Sequence, residues 1–185
     1  MTSATAPAIA ISSWKIDPAH SSAEFKIRHM MISYVKGEFW GLSGILKLDE
    51  ADYTQSVVEV SIPADSVRTG DDKRDAHLLK EDFFNVENFP AITFKSMNIR
   101  STGGHNYAVT GDLTIRGFTK TVIVAIDDLS EPSMDPWGHQ RIGLSGSTKV
   151  NRKDFAFMWN LALESGGMLV GDEVTITLDV QFVGE

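Results

Sequence analysis

At 185 residues, with no composition shift or linker, the chain is sized for one well-cored domain. Its 25 acidic and 17 basic side chains give a formal charge of −8 without a dense Lys/Arg run, which argues against nucleic acid as a partner, and zero cysteines exclude a disulfide framework and cysteine catalysis. No stretch approaches the roughly 20 apolar residues of a transmembrane helix.

Residues 1–12, MTSATAPAIAIS, are small, neutral and unpatterned, and read as a flexible tail before a domain over residues 13–185. They have neither the basic n-region nor the continuous apolar run of a secretory signal, so the expected compartment is the cytoplasm. From Ser13 polarity alternates with period two, the pattern of half-buried strands, and eight principal strands are expected. The first, over 14–29, breaks at Asp17-Pro18 and sets Phe25, Ile27 and His29 against Lys26 and Arg28. The second, over 35–48, carries Gly37, Gly41 and Gly44, which mark bulges or sharp coiling. In the third, over 56–62, Val58, Val60 and Ile62 oppose Glu59 and Ser61, and Pro63 ends the ladder.

Residues 67–94 hold the one clearly helical stretch. Thr69-Gly70 reads as a turn, and Asp71 and Asp72 fall at the positive end of a helix dipole. Ala76, Leu79 and Phe83 recur at helical spacing with Leu78 beside them, so one face is apolar while Lys73, Arg74, Lys80 and Glu81 look outward. The helix is expected across one end of a barrel, anchored by Leu78, Leu79 and Phe83.

The fourth strand, over 91–99, begins with Ile92 and Phe94 on one face and ends with Met97 and Ile99 on the other, which implies a bulge near Ser96. In the fifth, Tyr107, Val109, Leu113 and Ile115 share a face, and Arg116-Gly117-Phe118 turns tightly into the sixth, where Val122, Val124 and Ile126 alternate. Pro132 and Pro136 mark a loop. The seventh strand, over 141–150, puts Ile142, Leu144 and Val150 in phase; the eighth, over 173–183, aligns Val174, Ile176, Leu178, Val180 and Phe182. Between them, residues 151–171 begin with a helical turn and carry an apolar patch of Met158, Trp159, Leu161 and Leu163, expected over the barrel mouth. Strands joined by hairpins, without βαβ alternation, predict an all-β antiparallel fold, and eight of them favour a closed barrel.

Catalytic patterns are sparse. Five histidines show no H-E-x-x-H spacing, and no metal or cofactor is expected. His105 and His139 read as solvated turn residues. Gly143-Leu144-Ser145-Gly146-Ser147 lacks the last glycine of a nucleophile elbow, and the glycines at 166, 167 and 171 lack the ending of a phosphate loop. His29 faces inward, where an imidazole serves a head group or, by the better-supported reading, a buried partner. His20 with Asp17 reads as a turn stabiliser, and Arg74 with Asp75 as an ion pair tying the helix to the rim, from which Arg74 also reaches a phosphate oxygen.

The inward candidates are Phe25, Ile27, His29, Phe39, Ile45, Val58, Val60, Ile62, Phe94, Leu113, Ile115, Val122, Val124, Leu144, Met158, Trp159, Ile176, Leu178 and Val180, with Arg74 and His77 as head-group or rim contacts. Such an interior suits either a packed core or one narrow ligand.

Three phrases, WKIDPAHSSAEFKIRHM, SVRTGDDKRDAHLLKEDFFNVENFPAITFKS and GDLTIRGFTKTV, resemble in order and spacing the YceI-like family of polyisoprenoid-binding proteins. The resemblance spans residues 14–183. It implies an extended, lipocalin-like, eight-stranded antiparallel barrel whose lumen holds a long amphiphile, such as a prenyl phosphate or a quinone-type lipid, without catalysis. Many relatives begin with an export signal, which these residues lack. Two other readings stay open: an enzyme on a lipid head group using His29, His20 and Asp17, and a dimeric interaction module with a side-chain-filled core. Homodimerisation is compatible with each.

Overall fold

Period-two alternation is realised as eleven strand segments and one helix in a computed structural model that describes residues 11–185. They are β1 (Ile11–Ile16), β2 (Ser22–His29), β3 (Ser33–Phe39), β4 (Ser43–Asp49), β5 (Val57–Pro63), α1 (Asp72–Leu78), β6 (Ala91–Gly103), β7 (Asn106–Ile115), β8 (Phe118–Asp127), β9 (Ser133–Met134), β10 (Gln140–Asn151) and β11 (Val170–Gly184). The tail expected over residues 1–12 lies outside the described residues, except that Ile11 and Ser12 open β1.

Eleven segments make eight barrel positions. β1 and β2 are one strand interrupted by a 3-10 turn at Pro18–His20, and both lie along the same edge of β11, with Lys15 opposite Val183 and Phe25 opposite Ile176. β3 and β4 are likewise one strand broken at residues 40–42; β4 pairs with β1 and β3 with β2. The ring continues through β5, β6, β7, β8, β10 and β11, all antiparallel, and β11 closes it on β1 and β2. The eight-stranded antiparallel barrel is therefore the fold, and β9 is a two-residue ribbon on β10.

Irregularities set which side chains face in. At Gly41 the backbone turns left-handed (φ 71°), and the break moves the inward phase from Phe39 to Leu46 and Leu48. Ile45, expected inward on an unbroken strand, is therefore outside and 44% exposed. In β6 the register shifts between Ser96 and Asn98, so the bulge is present, but it returns Ile99 to the interior face used by Ile92 and Phe94 and leaves Met97 outside. Two glycines pin the register: a Cβ on Gly37 would lie 2.5 Å from the Phe25 ring, and one on Gly111 2.5 Å from the Phe94 ring. Each ring covers the missing side chain, so neither pair can slip.

The connection from β5 to β6 is anchored along its length. Glu38 of β3 and Arg68 exchange two backbone hydrogen bonds of 2.9 Å, which covers that strand's edge. Asp71 caps α1 by accepting from the Arg74 amide at 2.9 Å. Leu78, Leu79 and Phe83 pack on the core as expected, whereas Ala76 is exposed because the helix ends after seven residues and Phe83 and Phe84 arrive on turns beyond it. Opposite it, a 3-10 turn at Arg152–Phe155 buries Phe155 (1% exposed) and is followed by buried Phe157. Burying each ring contributes about 1.5–3 kcal/mol, which fixes this segment to the barrel.

Candidate functional site: the barrel lumen

The barrel encloses a cavity of about 590 Å³. That is within the roughly 300–1,000 Å³ of small-molecule sites, and a barrel packed solid with side chains would leave no such space. Of the inward candidates, all but Ile45 and Met158 contribute to the wall, as do Arg74 and His77. Met158 is 64% exposed, because Phe157 and Trp159 on either side of it take the inward positions in an extended segment. The wall also includes Leu46, Leu48, Tyr53, Ile99, Phe84, Phe155, Phe157, Leu169 and Val170, none of them among the candidates. Their signal was faint: Leu46, Leu48 and Ile99 are in phase only once a strand break or bulge is known, Val170 is the first residue of β11, and the others sit in turns or irregular stretches.

The two ends of the lumen differ. At one end the crossover containing α1 meets residues 152–169. His77 lies edge-on to Phe83 (5.0 Å) and to Trp159 (5.3 Å), and Phe84 edge-on to Phe157 (5.1 Å). Arg116, in the β7–β8 turn, donates from Nη1 to the Ala156 carbonyl (2.8 Å) and from Nη2 to the Glu81 carbonyl (2.6 Å), locking both segments to the same hairpin. Basic side chains gather here: His29, Lys73, Arg74, His77 and Arg152 all contribute to the wall. At the far end Tyr53 and Tyr107 face each other at 6.2 Å, and burial raises the Tyr53 phenol above its ordinary pKa, so it stays neutral.

Arg74 and Asp75 do not pair with each other; both converge on Thr69. Arg74 donates from Nε to the Thr69 hydroxyl (2.7 Å) and from Nη2 to the Thr69 carbonyl (3.0 Å), while Asp75 accepts from the Thr69 amide (2.9 Å) and hydroxyl. The rim is thus held by a threonine between two charges, and the guanidinium is oriented before any ligand arrives. His77 Nε2 lies 2.9 Å from Asp82 Oδ2, which orients its ring.

Arg152 is the polar residue that sequence reasoning missed. It is 4% exposed, donating from Nε to the Gly171 carbonyl (2.8 Å) and from Nη1 to those of Phe157 (2.6 Å) and Trp159 (2.9 Å). Its Nη2 has no hydrogen-bond partner, the nearest carboxylate oxygen being Asp172 Oδ1 at 3.5 Å. Burial lowers its pKa and Asp172 opposes that shift; a guanidinium nevertheless stays charged. Three backbone carbonyls bound by one buried cation fix the loop that carries Trp159.

The catalytic candidates do not converge. His20 Nδ1 lies 2.9 Å from Asp17 Oδ2 in the turn between β1 and β2, and neither residue belongs to the lumen wall, whereas His29 does. Asp17 also accepts from Arg141 Nη1 at 2.6 Å, and chiefly that bond lowers its carboxyl to about 2. This is a structural ion pair at the strand break. Among the described residues there is no group of three or more His, Cys, Asp or Glu suited to a metal ion, and no helix long and apolar enough to cross a membrane.

A family model described as a YceI-like domain matches residues 14–182. The chain is 36% identical over 150 residues to a UPF0312 protein of Shewanella denitrificans, covering 81% of this chain and 78% of that one. A UPF0312 protein of Staphylococcus aureus is 34% identical over 174 residues, covering 93% and 98%. Among solved structures, BcnA of Burkholderia cenocepacia superposes with a TM-score of 0.76 at 26% identity, covering 90% of this chain and 98% of that one. A polyisoprenoid binding domain from Saccharophagus degradans, implicated in plant cell wall breakdown, superposes with a TM-score of 0.67 at 15% identity, covering 94% and 99%, and shares the fold.

Proposed function

The chain belongs to the YceI-like family, and we propose that it reversibly binds one long-chain amphiphile, an isoprenoid such as a prenyl phosphate or a quinone-type lipid, in the lumen without transforming it. The observation that carries this reading is an apolar cavity of about 590 Å³ whose basic side chains collect at one end. The description of the Saccharophagus degradans domain as polyisoprenoid binding agrees with it. In this reading the tail lies along Val58, Val60, Leu113, Val124 and Leu178, and the polar head sits at the α1 end within reach of Arg74, His77 and Lys73. A prearranged guanidinium suits an anionic head, since bidentate donation to phosphate needs a fixed fork.

Burying a tail gains about 0.8 kcal/mol per CH₂ relative to water, but a bilayer offers nearly the same. Net preference over membrane therefore comes from lumen shape and from the head contacts, which suits exchange or storage. The separation of His20 and Asp17 from the wall supports binding without turnover.

Native mass spectrometry of freshly purified protein, with organic extraction of copurified lipid, tests the proposal directly. A lipid of stoichiometric mass is expected, with a rise in melting temperature on adding prenyl lipids. Repeated preparations that carry no lipid and gain no stability would overturn it.

A further inference from the structure

The hairpin tip joining β2 to β3 combines four features that together specify a partner. Ile32 is 77% and Met31 58% exposed, while Met30 N–H donates to the Leu169 carbonyl at 2.7 Å, so the tip is continuous with the second turn, which exposes Leu161 (55%) and Met168. The apolar residues of the two turns thus form one collar. Leu169, Val170 and His29, immediately behind it, belong to the lumen wall, so the collar borders the α1 mouth.

The second feature is strain. Met30 and Met31 both have positive φ (52° and 62°), at the centre of a turn closed by the Ile32 amide on the His29 carbonyl at 3.1 Å, in a three-residue loop between His29 and Ser33. Such turns favour Asn-Gly, and side-chained residues there cost free energy. Here the strained positions carry two flexible apolar side chains and hold them in solvent.

Charge is the third feature. Residues 25–37 contain Lys26, Arg28 and Lys36 and no carboxylate, in a chain of net charge −8. Lys26 and Lys36 are directly opposed across the strands, an arrangement that like charges disfavour. Both cations of β2 lean on Tyr34, Arg28 at 4.4 Å and Lys26 at 5.4 Å from its ring centroid. The carboxylates of β11 beside Arg28, Asp172 and Glu173, are paired with Lys153 (2.8 Å) and Lys149 (2.9 Å), and the Glu24–Glu38 rung lies deeper in the hairpin.

The fourth is the order of these groups along the hairpin: apolar tip outermost, then the rung of Tyr34 with Arg28, then the Lys26–Lys36 rung. That order matches the depth profile of an anionic bilayer, with hydrocarbon, interface and charged head groups in succession. We propose that this tip, with Leu161 and Met168, docks the α1 mouth onto a bilayer surface containing anionic lipid. The choice of a bilayer as partner rests on the reading that the lumen takes a long-chain amphiphile, and docking would let the tail pass between lipid phase and lumen without crossing water.

The full-length protein is mixed with phosphatidylcholine vesicles with and without phosphatidylglycerol, and bound protein is measured by sedimentation as salt is raised. Binding is expected to the phosphatidylglycerol vesicles and to weaken at high salt. Met31→Ser with Ile32→Ser is expected to weaken it about tenfold, and Lys26→Gln with Lys36→Gln to reduce its salt dependence to the share left by Arg28. Uptake of a dansyl-tagged prenol, assayed without vesicles, is expected to be unchanged in both variants and reports the lumen separately. Wild-type protein that ignores phosphatidylglycerol vesicles, or tip variants that bind as tightly, would overturn docking whatever the prenol assay gives. A fall in sedimentation mass of the Met31→Ser/Ile32→Ser variant would also overturn it, assigning the tip to contact with a second copy. Docking without prenol uptake would leave the docking surface standing and remove the lumen reading.

Discussion

The imidazole of His77 meets the indole of Trp159 edge-on, with ring planes at 90° and centroids 5.3 Å apart. One ring comes from α1 and the other from the segment before β11, so the contact joins two elements distant in sequence at the α1 end of the lumen. Trp159→Ala removes that contact and part of the wall. The expected result is a bound amphiphile released about tenfold faster, equivalent to about 1.4 kcal/mol. Stopped-flow displacement of a fluorescent prenyl probe measures it, and an unchanged release rate would show that the aromatic contact does not gate the mouth.

Lumen volume and stability are separable at Val124, which is 6% exposed and lines the cavity. Val124→Trp places an indole in the cavity, in the space that the proposed function gives to the tail. Prenyl lipid uptake is expected to disappear while the melting temperature holds or rises, since the new ring fills existing room. Extraction and mass spectrometry alongside calorimetry give both readouts; undiminished lipid in a folded variant would move the binding site elsewhere.

Arg152→Lys is not conservative here. A single ammonium cannot reproduce the planar fork that serves the carbonyls of Gly171, Phe157 and Trp159. Buried carbonyls left without donors cost about 1–3 kcal/mol each in unfavourable cases. A melting temperature lower by roughly 5–10 °C is expected for a chain of this size, and a drop under about 2 °C would mean the loop is held by Phe155 and Phe157 alone.

Acid stability is expected to depend on Arg141. Its Nε bonds Asp135 at 2.7 Å and its Nη1 bonds Asp17 at 2.6 Å, and these bonds lower Asp17 from 3.8 to about 2 and place Asp135 far below the carboxylate range. A depressed folded pKa contributes stability that is complete above the unfolded value and is lost as pH falls through the folded one. The Asp17 contribution is thus complete above about 3.8 and fades towards about 2. Denaturant unfolding of Arg141→Gln across this range is expected to show a stability deficit that narrows as pH falls; a deficit constant with pH would assign Arg141 a packing role only.

Most of the fold is legible in the sequence because alternation over eight stretches survives every strand break. What escapes is local phase and the sign of burial for charged side chains. Ile45 reads as inward only if residues 35–48 are one uninterrupted strand, and the left-handed backbone at Gly41 is invisible to a period-two count. The aliphatic lumen wall follows from the strands, whereas in the segment without period Trp159 and Met158 both read as inward and Phe155 and Phe157 do not, and only the tertiary fold puts Phe155, Phe157 and Trp159 in the wall and Met158 outside. Arg152 reads as surface because charge predicts exposure, and its burial depends on three carbonyls brought together by a loop. Likewise Arg74 and Asp75 suggest each other as partners until Thr69 is found between them.

Closure of the ring depends on Lys15 opposite Val183 and Ile16 opposite Phe182, pairs separated by nearly the whole described chain. Contacts of such separation form late, because loop closure must precede any gain from them. During synthesis the strands from β2 to β10 are complete before β11 exists, so there is a curved open sheet but no enclosed lumen. If the lumen binds a lipid as proposed, loading therefore belongs to the finished molecule and not to the nascent chain on the ribosome.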